Sequence, residues 1–251
     1  DIRGWGETYS LNGPAWSLMF EYIANLLYAL FIRRLSKTGL ALCVAFFAFL
    51  TVNLCLNIDV FGILEPHEWA AYTVIGGWGL DGVQLFVGFT RLLYPFFMGL
   101  LLARMNKLIS LRGGFWWCAG FVSLLLAIPH VGTGDTSWLN GLYECLCILA
   151  LFPLIVAVGA GSNISDKRTE KACKFLGEVS YPLYIIHYPL IYLQMAWLQR
   201  NENAPLGQHI IIGVGLFVAS VAIAYAAYKL YDVPVRERLK GKLFVVSKTN
   251  E

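Results

Sequence analysis

The chain has 251 residues, of which 58% are hydrophobic and 14% charged, with a formal net charge of +3. Soluble domains carry roughly 25% charged residues, so this balance excludes a water-soluble globular fold. The small positive charge is scattered over short loops, which excludes a nucleic-acid-binding surface. What remains is a polytopic membrane protein with the lipid bilayer as its solvent.

Crossing the hydrocarbon core takes about 20 apolar residues. Seven runs qualify in chain order: Ala15–Ile32, Leu40–Ile58, Gln84–Ala103, Phe115–Val131, Leu139–Ala160, Phe175–Leu198 and His209–Tyr231. Turn-forming residues separate them at Leu111–Gly114, Gly132–Asp135, Gly159–Asn163 and Asn201–Gly207, where Gly, Asn, Asp and Pro favour loops. No internal repeat or linker interrupts the chain. The expectation is an all-α, polytopic transmembrane helical bundle of about seven spans, forming a single domain over 1–251.

Loop charges give the orientation, because Lys and Arg accumulate on the cytoplasmic side. The first loop carries Arg33, Arg34 and Lys37, whereas Asp59–Val83 has no Lys or Arg but holds Asp59, Glu65, Glu68 and Asp81. Basic residues return at Arg104, Lys107 and Arg112, vanish over Gly132–Trp138, and return at Lys167, Arg168, Lys171 and Lys174. The next loop has only Arg200, and the tail is basic from Arg236 to Lys248. This alternation puts the N-terminus of the chain outside and its C-terminus in the cytoplasm. Within the long outer loop, Trp69–Trp78 is too short to span, and reads as an interfacial or re-entrant piece.

Ionisable groups inside spans are costly and usually mark function. Glu21, Arg91, Glu144, Glu178 and His187 are such groups. In "NGPAWSLMFEY", Ser17 and Glu21 are four apart and share a helix face. Trp16 suits the interface, Pro14 suits a helix start, and Asn12 is placed to cap it. Glu21 has two readings: a functional carboxylate, or a partner of Arg91 that locks two helices. Arg91 precedes Pro95, which opens the helix around it. Glu144, near the end of its span, reads as structural. In "FLGEVSYPLYIIHYPL", Ser180, Tyr184 and His187 fall within about 60° of one another at 100° per residue. Glu178 lies nearly opposite, and Pro182 and Pro189 bracket the histidine. No G-x-S-x-G elbow, H-E-x-x-H helix or P-loop occurs. Neither His67 with Glu68 nor Cys145 with Cys147 has the further ligands of a metal site, so neither a metal nor a bound cofactor is expected.

Four stretches together resemble the acyltransferase type 3 family of integral membrane O-acyltransferases. They are "NGPAWSLMFEY", "TRLLYPFFMGLLLAR", "FLGEVSYPLYIIHYPL" and "YKLYDVPVRERLK". The last departs from the family pattern, with Asp232 where a Glu is usual. The resemblance implies spans four to ten of a ten-span plan. The three earlier spans would carry a histidine general base and an arginine-rich acyl-CoA motif. None of His67, His130, His187 and His209 matches that early histidine, so the chain alone is expected to lack the catalytic base. The resemblance also implies an acyl-CoA donor, above all acetyl-CoA, and a hydroxyl acceptor on a carbohydrate or cell-envelope glycan, in a bacterial inner membrane. On this reading Glu21 is the catalytic partner, and Trp16, Ser17, Arg91, Glu178, Ser180, Tyr181, Tyr184 and His187 line the substrate path. Two alternatives stand beside it. One is a transporter, which also uses buried charge and proline-broken helices but normally shows a repeat. The other is a non-catalytic, truncated acyltransferase-like protein.

Overall fold

The computed structural model describes residues 7–106, 108–130, 132–164 and 166–247. Among these the regular structure is helical. In order, the α-helices are α1 Ala15–Leu30, α2 Lys37–Cys55, α3 Gly82–Met105, α4 Gly114–Ala127, α5 Trp138–Leu146, α6 Phe152–Gly161, α7 Lys167–Arg200, α8 Leu206–Ala227 and α9 Val233–Ser247. The π turn Cys147–Leu151 joins α5 to α6 without a break, and Tyr228–Asp232 joins α8 to α9 in the same way. Seven rods result, each overlapping one of the apolar runs of the sequence.

By length and composition, four rods are able to cross a membrane: α2, α3, the α5–α6 rod and the α8–α9 rod. Helices α1 and α4 are shorter, at 16 and 14 residues. Helix α7 has 34 residues, but its first two turns, Lys167–Lys174, are charged. The expected all-α membrane bundle is therefore what the chain forms.

Side-chain caps set several helix starts. Ser36 Oγ accepts from Gly39 N at 3.0 Å. Asp81 Oδ1 accepts from Val83 N and Gln84 N. Asp166 Oδ2 accepts from Thr169 N at 2.8 Å. Each satisfies an N–H that the first turn leaves without a partner. Helix α1 differs from expectation. Asn12 does not cap it; its amide donates elsewhere, and its Oδ1 is buried without a partner.

The chain divides into two compact units. The first comprises Asp1–Ser10 and Ala15–Ser165, the second Leu11–Pro14 and Asp166–Glu251.

In the first unit, α3 is central and packs on α2 and α1. Its core with α2 is built from Leu40, Val44, Tyr94 and Phe97, extended by Phe47 stacked on Phe97 at 5.1 Å. On the α1 side the helices approach so closely that a Cβ on Gly88 would lie 2.3 Å from Phe20 Cζ. Phe20 is itself held edge-on by Trp16 and Phe89. The α1 and α3 ends meet where Arg104 donates to the Leu35 and Arg33 carbonyls. The loop before α3 forms a short 3-10 turn, Glu65–Ala70, followed by an irregular stretch with Thr73, Gly76 and Gly77 buried. It is tied down by Glu144 Oε2, which accepts from Val74 N at 2.7 Å, and by Gln84 Oε1, which accepts from Gly77 N at 2.6 Å. This stretch is packed non-helical backbone.

In the second unit, α7 and α8 pair along their length, and the Leu11–Pro14 segment lies on α7.

Candidate functional site

Three prolines organise the polar contacts. A proline lacks an N–H, so the carbonyl four residues before it loses its helical donor. Pro189 frees the Ile185 carbonyl, and Asn12 Nδ2 donates to it at 2.9 Å. Pro153 sits at the end of the π turn, and the Tyr94 hydroxyl donates to the Leu149 carbonyl at 2.8 Å. Leu125 lies in the last turn of α4, which stops ahead of Pro129 and leaves its end carbonyls without helical donors, and the Tyr143 hydroxyl donates to the Leu125 carbonyl at 2.8 Å. Each vacated acceptor is served by a side chain from another segment of the same unit.

In the first unit, the Arg91 guanidinium lies 4.5 Å from the Trp16 ring centroid and donates to the Gly76 carbonyl. An aromatic face attracts a cation by its quadrupole. The contact depends on Gly77, whose φ of +94° suits glycine and whose Cβ would meet Gly88 Cα at 2.9 Å and Trp16 Cζ3 at 3.1 Å. Trp16, Arg91 and the Gly76–Gly77 turn therefore form one cluster. Ser17 is half-buried on α1. Glu21 lies on an exposed flank, about 80° round the helix from the buried Phe20 and Ala24 face, and its backbone carbonyl accepts from Asn25 Nδ2.

Next to this cluster is a cavity of about 450 Å³ bounded by α2, α3, α4 and the α5–α6 rod. Thr51, Thr90, Arg91 and Glu144 give it a polar end, and apolar side chains form the rest. Glu144 read as structural in the sequence, and its bond to Val74 N is of that kind. Its place on the cavity wall was not visible from spacing.

In the second unit, Ser180, Tyr184 and His187 line one groove of about 470 Å³ together with Gln194 and Ser220. The helical stripe expected from the spacing is therefore formed. Tyr184, His187, Tyr188 and Tyr192 make a ladder of ring contacts at 5.9, 5.4 and 5.1 Å. Three hydrogen bonds pin the "NGP" segment to it: Asn12 to Ile185, Gly13 N to the Tyr192 hydroxyl at 3.1 Å, and the Tyr184 hydroxyl to the Pro14 carbonyl at 3.2 Å. His187 Nδ1 lies 2.9 Å from the Leu183 carbonyl. A carbonyl only accepts, so Nδ1 carries the proton. In the neutral ring, Nε2 is then left as an acceptor. Glu178 leaves this stripe and lies against the Tyr228 hydroxyl. Tyr181 sits on an exposed flank of α7.

Comparison with known proteins places this arrangement. A profile described as an acyltransferase domain matches residues 3–229. The chain belongs to this acyltransferase family. It is also similar to the O-acetyltransferase OatA of Staphylococcus aureus (strain MRSA252), at 25% identity over 134 residues, 53% of this chain and 21% of the relative. The OatA of Staphylococcus aureus (strain COL) matches at 25% over 120 residues, 48% of this chain and 19% of that protein. The matched stretch thus spans about a fifth of the curated relatives' length. No solved structure matches. The family match covers Trp16, Ser17, Glu21, Arg91 and the α7 stripe alike.

Proposed function

We propose that this acyltransferase-family chain is part of a membrane O-acyltransferase that moves an acetyl group from acetyl-CoA to a hydroxyl of a cell-envelope glycan. The observation that carries this reading is the family match over residues 3–229, which takes in both polar clusters. The similarity to OatA supports acetyl as the acyl group. The brought-together basic ends of α1 and α3, at Arg33 and Arg104, support a common cytoplasmic face in a bacterial inner membrane.

In the reaction, the acceptor hydroxyl attacks the thioester carbonyl. The C–O bond forms, the C–S bond breaks, and CoA leaves as the thiol with the proton taken from the acceptor. The family's early histidine, which the resemblance places ahead of this chain, would serve as general base, a role typically worth about 10²–10⁴-fold. Glu21 orients that base or the acceptor. Its exposed position on an apolar helix supports this, since a carboxyl group there needs a polar partner. His187 Nε2, Ser180 and Tyr184 receive the acceptor on the α7 stripe. Arg91, held by Trp16, lines the substrate path within the first unit.

The test uses the full-length gene product in membranes with radiolabelled acetyl-CoA. Glu21→Gln keeps the shape and removes the charge. It should reduce glycan acetylation about 100-fold, the cost of misplacing a reacting group by about 1 Å, at equal expression. Near-parental turnover would sink the role of Glu21. Absence of acetyl transfer by the parental protein would sink the reaction.

A further inference from the structure

The cavity beside Arg91 is longer than a polar pocket requires. Its α3 wall runs from Thr90 to Leu102, a rise of about 18 Å at 1.5 Å per residue. That is more than half the hydrocarbon core of about 30 Å. The walls beyond the polar end are Met98, Gly99, Leu102, Leu125, Ile148 and Phe152. The cavity also reaches the exposed side chains Leu126 and Val156, on the apolar outer faces of α4 and α6. Both faces are apolar, so the slot has an apolar mouth through which a bilayer chain can enter.

The polar end is specific. Thr51 Oγ1 already donates to the Phe47 carbonyl, the Tyr143 hydroxyl to Leu125, and Glu144 Oε2 accepts from Val74 N. Thr90 Oγ1 has no hydrogen-bond partner, and Thr90 is only 2% exposed. A buried hydroxyl without a partner is costly. Arg91, at the same end, is already engaged by the Trp16 ring and the Gly76 carbonyl, so an uncharged polar group suits Thr90. Gly99 completes the picture: a Cβ added to it meets nothing within 4 Å.

We propose that this slot binds the hydrocarbon chain of a single-chain amphiphile drawn from the bilayer, with an uncharged hydroxyl head on Thr90 Oγ1. The site does not depend on the acyl-transfer reading, and its test is a binding measurement. The probe is a hexadecanol carrying a photoreactive diazirine near its tail end, applied to the full-length protein in nanodiscs. Labelling should saturate, fall on Met98, Leu102 and Phe152, and be competed by hexadecanol better than by palmitate. Gly99→Leu puts a side chain into the slot and should cut saturable labelling about tenfold with unchanged thermal stability, as burial of its added methylenes displaces the chain. Gly99→Val serves the same purpose if the leucine variant does not fold. Thr90→Val keeps the shape and should weaken binding roughly two- to tenfold, the size of one neutral hydrogen bond. Labelling that does not saturate, that is confined to Leu126 and Val156, or that survives both Gly99 variants would overturn the site. Equal competition by palmitate would overturn the uncharged head.

Discussion

Tyr94→Phe removes one oxygen and leaves the aromatic ring in place. Tyr94 is 2% exposed in the α2–α3 core, so no water replaces the lost hydroxyl at the Leu149 carbonyl. Leaving a buried acceptor unsatisfied costs about 1–3 kcal/mol, and hydrocarbon around the helices offers no substitute donor. The cost should depend on Pro153. The π turn closes with Phe152 N donating to the Cys147 carbonyl, and Pro153 then contributes no N–H to the carbonyls of that turn. Pro153→Ala supplies a donor. In that background Tyr94→Phe should cost at least about 1 kcal/mol less, a coupling within the usual range for residues sharing a partner. The assay is a double-mutant cycle of unfolding in mixed micelles, titrated with dodecyl sulfate and followed by tryptophan fluorescence. An identical cost of Tyr94→Phe with and without Pro153 would refute the idea that the hydroxyl serves a vacated carbonyl.

Other outcomes follow from the same structure. His67 is 1% exposed, and its ring nitrogens lack well-formed hydrogen bonds. Burial lowers its pKa below the ordinary 6.5, partly offset by the Ile75 backbone and the Asp81 charge. The unfolded chain therefore binds the proton more readily, and stability should fall as pH drops below about 6.5, by at most about 1.4 kcal/mol per pH unit. His67→Gln should flatten that slope in pH-dependent melting curves. Gly88→Ala drives a Cβ to 2.3 Å from Phe20 Cζ and should destabilise by about 1–3 kcal/mol as an overpacked contact, with Phe20→Leu restoring part of the loss in the same unfolding assay. Asn12→Asp turns a donor to Ile185 into a second acceptor facing it. It should be worse than Asn12→Ala, by about 1 kcal/mol or more, read as faster hydrogen exchange along α7. Arg91→Lys keeps the charge but loses the planar fork over Trp16, so it should raise the proteolytic sensitivity of the Gly76–Gly77 turn while expression holds.

The seven rods were legible because apolar length and loop composition act locally. The runs beginning at Ala15 and Gln84 needed no tertiary information. The stripe of Ser180, Tyr184 and His187 was legible for the same reason, since helical spacing alone puts these residues on one face. Asn12 was not. Its position before Pro14 matches a cap, but the Ile185 carbonyl freed by Pro189 lies far along the chain and competes for the same amide. The Gly76–Gly77 turn was equally hidden. Two glycines in a loop signal positive φ, yet only the approach of Gly88 and Trp16 shows why no Cβ fits. Thr90 gave no signal, because a lone threonine in an apolar run usually bonds its own helix. The π turn at Cys147–Leu151 changes the hydrogen-bond register inside a run that reads as uniform.

The vacated carbonyls also bear on how the chain assembles. A helix laid into lipid by itself carries Leu125, Leu149 or Ile185 with an acceptor that the surrounding hydrocarbon cannot serve. Non-specific packing of apolar helices leaves that deficit in place. It is relieved only when Tyr143, Tyr94 or Asn12 arrives at one depth and one rotation. Pro153 and Pro189 thus work as addresses on their helices, and the end of α4 works in the same way. A neighbour displaced by a turn, or rotated by a quarter, finds no matching acceptor and stays free to search.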